Sequence, residues 1–199
     1  MSSQPKSFLS LTKLAAQFPK EGPFFDILVD TITEKSERAA VLTVVSLLEG
    51  ALQKSLATKF LPDDRGKLKY LFGSGAPLRD FSAKIKMGFA LQFYGPDTQS
   101  DLDSIHEVRN SFAHTMSPIY FKTPEVAKVC KRITILDRGD PTGQMKNAPT
   151  QPRFMATAVC FAIEFYLIAH PRTTGLDALA GLMSDDNFWW SHFKRAMTS

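Results

Sequence analysis

Wherever apolar residues in this chain recur with a period, the period is that of the α-helix. Between Glu37 and Leu56, the residues Val41, Val44, Val45, Leu48, Leu52 and Leu56 recur at three- and four-residue steps, which lays them along one stripe of a helix. Ser36 stands where a capping hydroxyl is wanted. Phe81, Ile85 and Phe89 repeat the pattern, with Ser82 and Gly88 small enough to admit another helix closely. Leu102, Ile105, Val108 and Phe112 repeat it again between about Thr98 and His114, and Phe154 to Ala169 is apolar nearly all round, as suits a helix enclosed by others. RITIL (132–136) is β-branched enough for a strand, but a lone strand would have no partner, so a helix end is expected there. Such a chain predicts an all-α helical bundle.

The breaks agree. GSGAP (73–77) and Tyr94-Gly95-Pro96 are helix-stopping clusters, while Thr123-Pro124-Glu125 offers a capping hydroxyl, a first-turn proline and a carboxylate favourable to the helix dipole. Residues 137–152, DRGDPTGQMKNAPTQP, have little to bury and read as an exposed loop. Short helices over 7–18 and 24–33 and an amphipathic stretch from Leu176 to Met183 bring the expectation to about seven to eight helices in one domain over 1–199. A length of 199 residues suits a single core. Hydrophobic residues at 44% and charged residues at 22% exclude a disordered chain.

Several function classes fall away. A net charge of +4 with no long basic run selects no nucleic acid, and no helix-turn-helix with a basic recognition helix is present, so specific DNA binding is not expected. Two cysteines, Cys130 and Cys160, both among apolar residues, build neither a disulfide framework nor a four-cysteine zinc site; a buried thiol there is inert. A reducing cytoplasm is the expected compartment. The run from Phe154 to Ala169 contains Glu164 and falls short of the roughly 20 residues of a bilayer span, so no membrane is implied. GSG has no following GK[ST] and no preceding strand, which argues against a phosphate loop. Trp189-Trp190 lacks interleaved basic residues and reads as packing rather than base stacking.

The stretch that bears most chemistry is DLDSIHEVRNSFAH (101–114). On a helix His106, Asn110 and His114 share a stripe with Arg109 beside it, a candidate binding surface; the bland alternative is a solvated polar face. Glu49 falls at the border of its own apolar stripe, where its carboxylate would be partly buried. HEVRN departs from the metalloprotease HExxH because position 110 is Asn, and His106 to His114 spans on the order of 12 Å. No metal and no cofactor is implied.

Two resemblances rest on these residues. GAPLRDFSAKIKMGFAL (75–91), DLDSIHEVRNSFAH (101–114), TPEVAKVCKRI (123–133) and PRFMATAVCFAIEF (152–165) resemble, in order and spacing over roughly 35–170, the mannitol operon repressor (MtlR) family of small cytoplasmic helical bacterial proteins. That resemblance implies a regulatory protein acting in transcriptional repression through protein partners rather than by reading an operator. RNSFAH (109–114) also resembles the RNxxxH signature of the HEPN superfamily, many of whose members are metal-independent endoribonucleases of toxin and defence systems. By that resemblance Arg109 and His114 would be a catalytic pair on RNA, Asn110 the polar residue after the Arg, and Glu49 an acidic partner on an earlier helix. In such chemistry a ribose 2′-OH attacks the adjacent phosphate while an imidazole moves protons and a guanidinium stabilises charge. Residues five apart lie about 140° apart around a helix, so Arg109 and His114 converge only if the helix ends near Ala113, as Thr115 to Pro118 suggest, or across a homodimer. The regulatory reading, not the enzyme, is the one expected.

Overall fold

The computed structural model describes residues 31, 34–60, 65–139 and 147–170. Seven helices occur among them: α1 (Glu37–Ala57), α2 (Arg65–Phe72), α3 (Phe81–Ala90), α4 (Pro96–His114), α5 (Pro124–Cys130), α6 (Ile135–Gly139) and α7 (Thr150–Ala169). No strand occurs among the described residues, as the single helical period predicts. The expected helix over 7–18, that over 24–33 apart from Thr31, the stretch 176–183 and the tryptophan pair lie outside them.

The bundle is organised on α1, which packs most extensively against α7 and also touches α3 and α4. Its capping is as the sequence suggests, with the Ser36 hydroxyl accepting from the Ala39 amide at 3.3 Å. Val41, Val44, Leu48, Leu52 and Leu56 are wholly buried, as are Ala158, Phe161 and Ala162 of α7. Burying one such large side chain is worth about 1.5–3 kcal/mol. An aromatic line continues the core: Phe112 of α4 meets Phe121 at 5.3 Å between centroids, and Phe121 meets Phe154 of α7 at 5.3 Å. Both α1 and α7 are long and apolar enough to cross a membrane by length and composition. Just over half of each such stretch is buried inside the bundle, and the core helices of a soluble protein have the same character.

Several local expectations are corrected. The helix behind Thr123 starts as predicted with Pro124 in its first turn, but the Thr123 hydroxyl makes no cap; it accepts instead from the Tyr120 amide at 3.0 Å. RITIL is neither strand nor helix end: α5 stops at Cys130 and α6 starts at Ile135. The buried Asp101 carboxylate drives that restart, accepting the Thr134 and Ile135 amides at 2.9 Å each. The predicted loop 137–152 is shorter, because 137–139 belong to α6 and 150–152 to α7. Arg153 grips Asp137 through two hydrogen bonds of 2.8 and 2.6 Å and draws the two helices together.

Gly88 serves a ring, not a neighbouring helix. A Cβ there would lie 2.4 Å from Tyr94 Oη, and the Tyr94 hydroxyl donates to the Ile85 carbonyl at 2.8 Å. The chain returns on itself through Gln92 at φ 56°, a left-handed turn usually given to glycine. Phe89 stands half out of the fold, and the buried face of α3 is Phe81, Lys84, Ile85 and Gly88. Cys130 is buried, its thiol pushed up to about 12 by burial; Cys160 reaches the surface of α7, yet desolvation and, after it, the Glu164 carboxylate still hold its thiol above its ordinary value.

Candidate functional site

The polar face of α4 is set by its apolar one. Gly95 and Pro96 open the helix, Leu102, Ile105, Val108 and Phe112 turn into the core, and His106, Arg109 and Asn110 are left half-buried along one side. Three side chains there form a chain of hydrogen bonds. Arg109 Nη1 donates to Asn110 Oδ1 at 3.0 Å, and Asn110 Nδ2 lies 3.0 Å from His106 Nε2. A guanidinium has only donors, so it fixes the amide's orientation; the amide nitrogen then donates, and His106 Nε2 must accept. The network therefore requires a neutral imidazole with its proton on Nδ1.

The surroundings act in the same direction. Burial and the Arg109 charge hold the His106 imidazole below its ordinary range, against the weaker upward pull of Asp103, Glu49 and Asp80. The His106 ring meets Phe81 of α3 edge to face at 5.7 Å, a contact that fixes its orientation.

Beside this network, where α1 and α3 meet, lies a feature that helical periodicity misses. Lys84 is only 4% exposed, and its ammonium donates to Glu49 Oε1 at 2.5 Å and to the Arg79 carbonyl at 3.0 Å. Glu49, 24% exposed, is thus partly buried as its position on the stripe suggests, with a lysine rather than Arg109 as its partner. The available signal was positional: Lys84 lies three residues after Phe81 and one before Ile85, on the face that must go inward.

His114 stands apart. It is exposed in the last turn of α4 and, among the described residues, makes no hydrogen bond to Arg109 or Asn110. The helix does end there, with Thr115 in extended geometry, but the carbonyl it frees at Thr115 is taken by Arg38 Nη2 at 2.8 Å. The structure brings together His106, Asn110 and Arg109, places Glu49 near them through its field on His106, and leaves His114 outside the hydrogen-bonded chain. Among the described residues no cluster of His, Cys, Asp and Glu is arranged to hold a metal.

No protein-family model matches the sequence, and no curated protein matches it. The fold is similar to a chain of a solved structure, the X-ray structure of the MtlR–HPr complex from Escherichia coli, with a TM-score of 0.52 and 18% sequence identity. The likeness covers 74% of this chain and 98% of that one. The chain therefore has an MtlR-like all-α fold, reached over nearly the whole length of the chain it resembles.

Proposed function

We propose that this chain is an MtlR-like regulatory protein that works by engaging a protein partner, and that any repression it exerts passes through that partner. The observation that carries the reading is the fold likeness to a chain solved in the MtlR–HPr complex. It is supported by the polar face of α4, where Arg109, Asn110 and His106 are held in place before any partner arrives; prior ordering lowers the cost of docking. No basic recognition helix occurs among the described residues, which argues against operator reading. A cytoplasmic setting belongs to the same proposal.

HPr is the partner to test first. Isothermal titration of the purified protein with HPr should give saturable binding, weakened at least about tenfold, or roughly 1.4 kcal/mol, by Arg109→Ala with an unchanged melting temperature. No heat of binding with HPr would overturn the choice of partner. The endoribonuclease reading has less behind it: Arg109 is engaged by Asn110, and His114 makes no hydrogen bond to either among the described residues. Incubation with mixed RNAs decides that reading, because cleavage by the wild type and none by His114→Ala would establish it.

A further inference from the structure

The loop that follows α4 is fastened to the core at several points. Phe121 is buried, its ring set between Phe112 and Phe154. The first turn of α1 holds the loop at both ends, with Arg38 Nη2 donating to the Thr115 carbonyl at 2.8 Å and the Phe121 amide donating to Glu37 Oε2 at 2.6 Å. Tyr120 and Thr123 close a tight turn through a 2.9 Å backbone hydrogen bond and the 3.0 Å bond to the threonine hydroxyl. A loop so fastened to the core would be expected to hide its apolar side chains. Instead Met116 is fully exposed and Tyr120 is 46% exposed.

The Glu37 carboxylate that meets the loop is taken up by the Phe121 amide, and along the chain itself the charge is basic: no Asp or Glu occurs between Glu107 and Glu125, while Arg109 and Lys122 do. Lys122 is exposed, and its ammonium lies 5.3 Å from the centre of the Tyr120 ring. Methionine and tyrosine are enriched at the cores of protein interfaces, and charges at the rim select and steer the partner.

We infer that the loop 115–122 is a preformed docking epitope, and that its occupant is a protein presenting an apolar pocket for Met116 and Tyr120, rimmed by carboxylates that face Lys122 and His114. This rests on the reading that the chain works through a protein partner. Two-fold contact with a second copy through this loop would set its basic residues against one another. RNA is poorly served, because Lys122 already covers one face of the Tyr120 ring and so few cations would meet a phosphate chain.

The test places a benzophenone cross-linker at position 116, at position 120 and, as a control, at the exposed Tyr70 of α2, in living cells. One heterologous protein should be captured from 116 and 120 and not from 70, with the cross-link mapped to a surface bearing carboxylates. Once that protein is purified, Lys122→Glu and Met116→Ala should each weaken its binding at least about tenfold with the melting temperature unchanged. Capture of a second copy of this chain, of RNA, of nothing, or equally from all three positions overturns the inference. HPr titration separates the two proposals. If HPr binds wild type, Met116→Ala and Lys122→Glu alike, the epitope is wrong and the partner reading stands; if HPr fails to bind while 116 captures a carboxylate-rimmed protein, the epitope stands and HPr falls.

Discussion

The two sides of α1 are stabilised in different ways. Its packing against α7 draws on buried valines, leucines and Ala51, and among the described residues the Ser55 hydroxyl donates across to the Phe165 carbonyl. Toward α3 it sends Glu49 to the buried Lys84, close to the His106 network of α4. Apolar burial is non-directional and scales with area, so the first side tolerates changes that conserve volume. The second side depends on donors meeting acceptors, and a single mismatch there leaves a charge without compensation.

The largest effect should come from opening the apolar side. Phe161→Ala should cost about 3–5 kcal/mol in urea unfolding, and Phe161→Leu well under that, because a cavity is penalised by what cannot collapse into it. Near-equal costs for the two would mean that α7 is held by something other than packing.

On the polar side Lys84→Met should cost about 1–3 kcal/mol, less than the roughly 3–5 kcal/mol for breaking a fully buried pair, because Glu49 keeps some solvent. Adding Glu49→Gln to Lys84→Met should recover part of the loss, since the stranded carboxylate is then gone. A double variant as unstable as the sum of the singles would show that the two side chains act separately.

A smaller effect follows from His106. Its folded pKa is lowered from 6.5, so the unfolded chain binds the proton more readily. The resulting contribution to stability is fully present above about pH 6.5 and is lost as pH falls through the lower folded value. Urea unfolding at pH 7.5 and 5.5 should show this decline, and His106→Gln should flatten it. An unaltered slope in the variant would assign the acid sensitivity to other groups.

The helices were legible because their evidence is repetitive. Val41 to Leu56 and Leu102 to Phe112 each repeat the same information several times, so one misleading residue changes nothing. Lys84 and Glu49 were not legible as a pair, because 35 positions separate them: each sits on or beside an apolar stripe, but the helical period does not say which partner it meets. Asp101 was missed for the same reason, since the amides it caps lie 33 and 34 residues away. Of the candidate site, the grouping of His106, Arg109 and Asn110 follows from helical spacing. The exclusion of His114 from their hydrogen bonds depends on the last turn of α4 and on which groups Asn110 already serves.

The smallest effect is expected at the surface. Met116→Ala should change the unfolding free energy by less than about 0.5 kcal/mol, since the side chain buries nothing in the isolated protein. A larger loss would show that the loop takes part in the core.

The pairing of α1 with α7 also bears on how the protein is made. The Ser55 bond to Phe165 spans 110 positions, so during synthesis at about 5–20 residues per second α1 leaves the ribosome on the order of 5–20 s before its chief partner. Through that interval, of the described helices that touch it, α3 and α4 are the ones available to shield its row of valines and leucines. Ribosome-bound chains halted before residue 150 are therefore the form of this protein most exposed to aggregation, and chains released after residue 170 the first able to close the bundle.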